Sequence, residues 1–230
     1  MTRAKAQNDS VLVLLSGGVD SSTVCLYLRE RGARVLPHFI FYGQRAAASE
    51  WKAARAVAGR LGLNAPTSTD LSSLGASLEF ALTRGSSQGS EATFAERFQE
   101  SFVPHRNLLL ATCAAMTAAS RGVSAIALGI VGGAAIAYPD TTPRFLRRLQ
   151  GLLRLSADVR VLAPFARKTK DDVARFGWER GFDYGITYSC HRQSGIHCGR
   201  CAGCIERDST LSSYPSATRT VYARRVEWVS

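Results

Sequence analysis

The chain has 230 residues, of which 46% are apolar and 20% are charged, as is typical of a globular protein large enough for one α/β domain with a small appendage. It contains no apolar run of about 18 residues, the length that a membrane-spanning helix needs, and its polar first ten residues are unlike a signal peptide, so we expect a cytoplasmic protein without a membrane partner. The net charge of +11 favours anionic partners such as nucleotides, phosphates or nucleic acid.

Apolar runs of strand length alternate with helical patterns through most of the chain. The predicted strands are residues 11–15, 34–42, 65–70, 124–131 and 159–163. The predicted helices are residues 22–31, 46–61, 107–120, 141–155 and 169–181. This alternation predicts a Rossmann-like α/β fold, in which helices pack on the faces of a parallel sheet.

Two parts of the chain depart from this pattern. Residues 71–105 are less regular, and the Gly/Ser-rich residues 85–90 are interpreted as a mobile loop or a lid over the site. After Gly185 the sequence is rich in cysteine and in loop-forming residues. We therefore divide the chain into an α/β domain of residues 1–185 and a C-terminal region of residues 186–230.

A glycine-rich loop separates the first predicted strand from the first predicted helix. Its two glycines let the backbone approach a ligand closely, and free amides at a helix N-terminus bind anions. Ser16 and Ser21 add hydroxyl donors, while Asp20 is suited to hold Mg²⁺ or to fix the loop. The loop is neither a Walker loop nor a dinucleotide fingerprint, and it resembles the SGGxDS PP-loop of ATP pyrophosphatases; a plain strand-to-helix turn is the alternative. The residues expected to bind ATP are Leu15, Ser16, Gly17, Gly18, Val19, Asp20, Ser21 and Ser22.

Four of the six cysteines fall within fifteen residues, and in a reducing cytoplasm such clustering favours metal over disulfides. They are Cys190, Cys198, Cys201 and Cys204. Four thiolates close a tetrahedral Zn²⁺ site and leave no open position for water, so its role would be structural. An iron–sulfur cluster is the alternative use of four thiolates, and His191 and His197 are alternative zinc ligands.

Together these motifs make the chain similar to the 7-cyano-7-deazaguanine synthases of queuosine biosynthesis, which belong to the PP-loop ATP pyrophosphatase superfamily. The resemblance extends over most of the chain, and its segments occur in the same order. They are residues 14–22, 41–45, 102–107, 138–140, 168–170 and 187–207. The resemblance implies a sheet of the adenine nucleotide alpha hydrolase type, with ATP and Mg²⁺ at the PP-loop, structural Zn²⁺ in the C-terminal region, and a homodimer.

The reaction that the resemblance implies converts a carboxylate into a nitrile. The carboxylate of 7-carboxy-7-deazaguanine attacks the α-phosphate of ATP, and pyrophosphate leaves. Ammonia then displaces AMP to form an amide, and a second activation of the amide oxygen leads to 7-cyano-7-deazaguanine. Such a reaction asks the protein for positioning and charge stabilisation more than for covalent chemistry.

The resemblance also assigns roles to individual residues. The catalytic residues that it implies are Ser16, Asp20, Arg106 and Lys170. The substrate-binding residues that it implies are Tyr42, Gln44, Arg45, Arg106, Asn107, Tyr138 and Asp140. Among them, Tyr42, Gln44 and Arg45 follow the second predicted strand, at the end of the sheet where such folds bind ligands.

The chain departs from the family pattern at several positions. Ala46 replaces a histidine, His105 replaces a glycine, His191 replaces a tyrosine, and residues 132–137 carry no carboxylate or hydroxyl group. Loss of polar groups should remove hydrogen bonds to a polar base and enlarge the pocket. We interpret the clustered departures as retained adenylation with a changed substrate or a changed acceptor amine, such as a peptide or a protein N-terminus.

Two further functions stay open on the sequence. A PP-loop enzyme that modifies tRNA would explain the positive charge, but the sequence lacks a separate RNA-binding domain, so we do not expect nucleic acid as a direct substrate. A zinc-stabilised nucleic-acid binder without enzymatic activity would leave the phosphate loop unexplained.

Overall fold

A parallel β-sheet forms the centre of the fold. The computed structural model of the protein describes residues 10–85, 92–133, 138–192, 195–214 and 220–226. Within them, the strands of the sheet are β1 (Ser10–Leu14), β2 (Arg34–Phe41), β3 (Thr67–Asp70), β4 (Ala125–Ala127) and β5 (Arg160–Leu162). Their order is β3-β2-β1-β4-β5, and every neighbouring pair is parallel. The predicted parallel sheet of an α/β fold is confirmed.

β1 occupies the middle of the sheet because its sequence is apolar on both faces. Leu12 and Val13 point to opposite faces, and both are fully buried. β3 has the polar sequence Thr-Ser-Thr-Asp and is largely exposed, as suits an edge strand. The strand order reverses beside β1, so a crevice opens at the C-terminal ends of β1 and β4, where open α/β sheets bind ligands.

Helices cover both faces of the sheet. In the described part of the chain they are α1 (Val19–Glu30), α2 (Ala47–Arg60), α3 (Ser72–Ala76), α4 (Phe94–Glu100), α5 (Arg106–Ser120), α6 (Pro143–Arg154), α7 (Lys170–Trp178) and α8 (Ala202–Leu211). One apolar core joins α1, α2 and α7 to one face of β1, and a second core joins α5 and α6 to the other face. Among the described residues, no helix has both the length and the apolar character needed to cross a membrane.

Some predicted boundaries are wrong at the ends of elements. β4 stops at Ala127, although the apolar pattern continues to Val131. The chain leaves the sheet there and passes the start of α1, so closely that a side chain at Gly129 would lie 2.9 Å from the backbone nitrogen of Ser21. The residues after Ala127 are therefore apolar because they line a buried crevice, and not because they extend the strand.

The region after Gly185 contains a helix, so its interpretation as loops is wrong. α8 begins immediately after Cys201, which serves as its N-cap residue. Gly199 and Gly203 weaken the helical pattern of the sequence at this point. The three-residue spacing of Cys201 and Cys204, which was interpreted as a metal loop, is also the spacing that places two side chains on one face of a helix.

The irregular segment 71–105 includes two short helices, α3 and α4. Thr93 and Glu96 form a capping box at the start of α4, in which each side chain bonds to the backbone of the other residue. This signal in the sequence does not depend on apolar periodicity. Apart from Gly85, the predicted lid at residues 85–90 lies outside the described residues.

The C-terminal region lies against the α/β domain. The Tyr188 amide donates a hydrogen bond to the Gly17 carbonyl over 2.9 Å. The guanidinium of Arg207, which is buried in α8, donates to the Tyr184 carbonyl over 2.6 Å and to the Thr187 hydroxyl over 2.7 Å. The division of the chain at residue 185 stays a prediction.

The backbone of His105 is strained in the structure. His105 precedes α5 with φ 62° and ψ 6°, in the left-handed region, and its side chain is exposed. Because this conformation costs a non-glycine residue about 1–2 kcal/mol, His105→Gly should raise the free energy of unfolding by about 0.5–1 kcal/mol after the entropy of glycine is subtracted. Urea denaturation measures the change. His105→Ala is the control, since alanine keeps the strain; an equal gain for alanine would contradict the explanation.

Candidate active site

The glycine-rich loop that resembles a PP-loop, and is called the PP-loop below, connects β1 to α1 at the crevice. The hydroxyl oxygens of Ser16 and Ser21 are 3.0 Å apart, and the Gly18 amide lies 3.4 Å from the Ser16 hydroxyl. Gly18 is the N-cap residue of α1, and it has no side chain that could cap the helix. The positive end of α1 and two hydroxyl groups therefore face the same space, as a phosphate site requires.

Gly17 allows the loop to pack under α2. Its φ is +80°, and a side chain there would lie 2.6 Å from both the Glu50 carbonyl and the Ala54 amide. Any other residue at this position would have to push the backbone of α2 away. The first glycine of the loop is thus required by packing, whereas Gly18 has room above it, where the contacts of an added side chain would be 3.5 Å or longer.

Lys170 joins the PP-loop to the C-terminal region. Its ammonium nitrogen lies 2.7 Å from Asp20 Oδ2 and 3.1 Å from Glu206 Oε2. Burial alone would lower the pKa of Lys170, but the two carboxylates raise it above its ordinary value, so the side chain is charged at neutral pH. The side chain begins at the first residue of α7, where Thr169 and Asp172 form a capping box that fixes the start of the helix.

Asp20 keeps one oxygen free. Its Oδ1 is buried and has no hydrogen-bond partner among the described residues, while Oδ2 pairs with Lys170. An unsatisfied buried carboxylate oxygen is costly unless a cation or a donor completes it. The oxygen lies beside the phosphate loop, where Mg²⁺ that accompanies a nucleotide would need such a ligand.

Two adjoining cavities occupy the crevice. The first, of about 350 Å³, extends from the PP-loop along the end of β2 to α5. The second, of about 240 Å³, lies beside it, between α4, α5 and α8. Asp20, Arg106, Lys170 and Glu206 line both cavities. The charged groups therefore stand at the junction, and each cavity is large enough for a separate ligand or part of one.

Arg106 and Asn107 begin α5 and face the crevice. Arg106 forms a side-chain hydrogen bond with Tyr42; burial alone would lower its pKa, but Tyr42 and Asp140 raise it. The Asn107 amide donates to Asp140 Oδ2, and its side-chain nitrogen donates to the Asp140 carbonyl, both over 3.2 Å. Asp140 thus positions the start of α5 from outside the cavities, while Arg106 presents its charge at their junction.

The loop after β2 directs the side chains of Tyr42, Gln44 and Arg45 to different cavities. The Gln44 side chain is buried and accepts from the Tyr42 amide over 2.8 Å, while it donates to Glu50 Oε2 over 3.0 Å. Tyr42, Gln44 and Glu50 line the first cavity. Arg45 points away from both cavities and borders a smaller one of about 30 Å³ near α4. The structure therefore brings Tyr42 and Gln44 to the crevice but not Arg45.

Aromatic rings and a histidine form the wall of the second cavity. Tyr138 stacks on Phe98, with ring centroids 4.4 Å apart, and donates its hydroxyl hydrogen to the Phe98 carbonyl over 2.6 Å. His191 Nδ1 lies 3.3 Å from the Ser101 hydroxyl. Burial, together with the charge of Arg106, lowers the pKa of His191 to about 4, so its ring is neutral at pH 7.

The four clustered cysteines form a compact group of sulfur atoms. The sulfurs of Cys190, Cys198, Cys201 and Cys204 all lie within 4.8 Å of one another. Two pairs are 3.9 Å apart, close to the separation of about 3.8 Å that four ligands at a Zn–S distance of about 2.3 Å would have. Their donor set and spacing fit a tetrahedral metal ion.

The nearby histidines do not contribute to this group. His197 accepts a hydrogen bond at Nε2 from the Ser189 amide over 3.1 Å, and its ring packs between Tyr188 and Tyr222. His191 lies at the crevice. Among the described residues, only the four cysteines converge as a metal-ligand group.

Comparisons with known proteins agree with this arrangement. A sequence profile described as "Queuosine biosynthesis protein QueC" matches residues 10–215. The chain belongs to the QueC family. It is 32% identical to the 7-cyano-7-deazaguanine synthase of Ruegeria sp. (strain TM1040), over 94% of this chain and 94% of that protein. It is also 32% identical to the protein of the same name from Brucella anthropi, over 95% of this chain and 96% of that protein.

Solved structures resemble this QueC-family chain more distantly. A 4-thiouridine synthetase–RNA complex with bound ATP aligns with a TM-score of 0.49 and 14% identity, over 94% of this chain and 47% of that one. A predicted subunit of tRNA methyltransferase from Methanocaldococcus jannaschii aligns with a TM-score of 0.43 and 16% identity, over 80% and 94% of the two chains.

The departures from the QueC-family pattern lie in different places. His191 borders both cavities, whereas His105 is exposed at the start of α5. Ala46 is buried against the cysteine group, away from the crevice. Of the apolar stretch 132–137, residues 134–137 lie outside the described residues. Among the departures that the structure describes, only His191 lies in the wall of either cavity.

Glu50, Gly129 and Glu206 are among the crevice residues that sequence reasoning missed. Glu50 and Glu206 lie on helices whose facing could not be predicted before the fold was known. Gly129 had a detectable signal, since a glycine interrupts the apolar run inside a predicted strand, which often marks close backbone approach.

Proposed function

We propose that the protein is an ATP-dependent ligase that adenylates the carboxylate of 7-carboxy-7-deazaguanine and converts it with ammonia to 7-cyano-7-deazaguanine. Membership of the QueC family and the names of the relatives support the substrate. The observation that carries the chemistry is the contact of Lys170 with Asp20 of the PP-loop, at the junction of two cavities.

The first cavity is suited to ATP. The amides and hydroxyls of residues 16–21 would hold the phosphates, and the free Oδ1 of Asp20 would be a ligand for the Mg²⁺ that accompanies them. Lys170 neutralises charge that develops at the α-phosphate when pyrophosphate leaves. Leu14, Ile40 and Leu110, which line the same cavity, offer apolar contacts to the adenosine.

The second cavity is suited to the deazapurine acid. Phe98 and Tyr138 offer an aromatic wall to a planar base. Arg106 at the junction pairs with the carboxylate and directs it to the α-phosphate. The carboxylate oxygen forms a bond to phosphorus as the bond to pyrophosphate breaks. The ammonia nitrogen then bonds to the acyl carbon and loses a proton, and AMP leaves with the oxygen to give the primary amide. The amide oxygen attacks the α-phosphate of a second ATP as pyrophosphate leaves, and loss of AMP and of the two remaining N–H protons gives the nitrile.

The cysteine group is suited to structural Zn²⁺. Four thiolates complete the coordination shell, so no open position remains for substrate. The metal would hold the start of α8 against Cys190, and the hydrogen bond from Tyr188 to Gly17 connects that segment to the PP-loop.

Incubation of the protein with ATP, Mg²⁺, 7-carboxy-7-deazaguanine and ammonium tests the proposal. We expect AMP, pyrophosphate and a nitrile product, identified by mass. The adenylation half-reaction is followed separately as acid-dependent exchange of labelled pyrophosphate into ATP. Absence of exchange with this acid would contradict the proposal.

A second candidate keeps the adenylation but joins the acid to another amine, so that the product is an amide. His191 favours it, since this departure from the family pattern borders the second cavity beside Glu206. An amide that accumulates in the same assay, without conversion to the nitrile, would support this candidate over the first.

A further inference from the structure

We propose that Glu206 binds the acceptor amine in its ammonium form at the junction of the two cavities. The inference rests on the proposed function, because it concerns the second reactant of the same reaction. Glu206 Oε2 lies 3.1 Å from Lys170 Nζ, which itself lies 2.7 Å from Asp20 Oδ2. The side chain is 32% exposed, and it borders both cavities.

The charge of Glu206 suits neither of the other two reactants. ATP and the acid are both anions, and a carboxylate beside the α-phosphate repels them. A carboxylate in this place is complementary to a cation or to a hydrogen-bond donor. Apart from Mg²⁺, the cation expected there is the acceptor amine, which binds as an ammonium ion within reach of the activated acyl carbon and gives up a proton to solvent before its nitrogen attacks.

The spacing of the two carboxylates favours an ammonium group over a second metal ion. Distances of 2.7 and 3.1 Å from the Lys170 nitrogen are those of charge-assisted N–H···O hydrogen bonds. Mg²⁺ would need oxygens at about 2.0–2.1 Å in octahedral geometry. The position between Asp20 and Glu206 thus already holds an ammonium group, that of Lys170.

Binding of ATP would make this position available to the substrate. When Lys170 shifts to the phosphates with its contact to Asp20 Oδ2 kept, and Asp20 Oδ1 takes Mg²⁺, Glu206 loses its cationic partner. An incoming ammonium group restores the pair, and the neighbouring second cavity has room for a substituent on the nitrogen. This exchange of partners predicts that ATP binds before the amine.

Glu206→Gln tests the inference, because glutamine keeps the size of the side chain and an oxygen that can accept from Lys170. Product formation is measured against the concentration of ammonium chloride and, separately, of methylamine. We expect the KM for at least one of these amines to rise about ten-fold or more, the effect of a lost hydrogen bond to a charged group. Acid-dependent exchange of pyrophosphate into ATP should stay within about two-fold of the wild type, since the amine takes no part in that step.

Asp208→Asn is the matched control, since it removes one carboxylate from the same helix, away from both cavities. Its KM for each amine should equal that of the wild type. An unchanged KM for both amines in Glu206→Gln would overturn the inference. It would also be overturned if the wild-type protein exchanged pyrophosphate but formed no product with either amine. A parallel loss of pyrophosphate exchange in Glu206→Gln would assign Glu206 to the nucleotide site instead. Failure of the wild type to exchange pyrophosphate would reject the proposed function itself.

Discussion

Asp20→Ala is expected to reduce acid-dependent exchange of pyrophosphate into ATP by about 100- to 1000-fold, the usual cost of removing one preorganised electrostatic group from an active site. Asp20 has two tasks that alanine cannot perform. Its Oδ2 holds Lys170 at the loop, and its Oδ1 is the buried oxygen available to Mg²⁺. The fold should persist, because Lys170 keeps Glu206 as a partner.

Asp158→Ala is the control for this experiment. Its side chain is 93% exposed and forms a surface ion pair with Arg154 at 4.0 Å, so its removal should leave the exchange rate unchanged. Thermal unfolding of both variants checks that the loss is catalytic. Exchange by Asp20→Ala at more than a tenth of the wild-type rate would exclude an essential role for this carboxylate.

Cys204→Ser is expected to release the metal and to lower the melting temperature by about 6–20 °C. Cys204 is fully buried in the first turn of α8. Structural zinc contributes about 10–16 kcal/mol in small zinc domains, and a loss of about 3–5 kcal/mol in a chain of this size corresponds to roughly 6–20 °C. Metal content by mass spectrometry and unfolding by calorimetry measure the two effects.

Cys113→Ser is the matched control, since this half-buried cysteine of α5 lies outside the sulfur cluster. It should keep about one zinc per chain and melt close to the wild-type temperature. Iron with visible charge-transfer absorption, in place of zinc, would show that the four thiolates hold an iron–sulfur cluster.

Loss of the metal should also impair nucleotide binding. Ser189 and Tyr188 directly precede the first ligand, Cys190, and the Tyr188 amide donates to the Gly17 carbonyl of the PP-loop. Release of this segment would free the loop from one of its supports. The metal site and the phosphate site are therefore coupled through the backbone, although the proposed metal takes no part in the reaction.

Several parts of the fold and of the site could be predicted because their signals are local. The run Leu15-Ser16-Gly17-Gly18 directly follows an apolar strand, so the signal for the loop lies in neighbouring residues. Parallel strands were predictable for a similar reason, since buried strands require continuous apolar runs. The short spacing of the four cysteines along the chain likewise favours folds in which their sulfur atoms lie close together.

Other features depend on contacts between distant parts of the chain. Asp20 and Lys170 are 150 residues apart in sequence, and the facing of Glu206 depends on α8, which the glycines near its start concealed. Arg45 was predicted together with Gln44, yet the turn after β2 directs their side chains to different cavities.

By itself, the sequence determined the class of fold and predicted the phosphate loop and the group of metal ligands, because each is encoded by residues that are close in the chain. The tertiary structure alone decided which charges meet at the junction of the cavities. Pairing among Asp20, Lys170 and Glu206 is a property of how β1, α7 and α8 pack, and packing is set by the whole core rather than by any short segment.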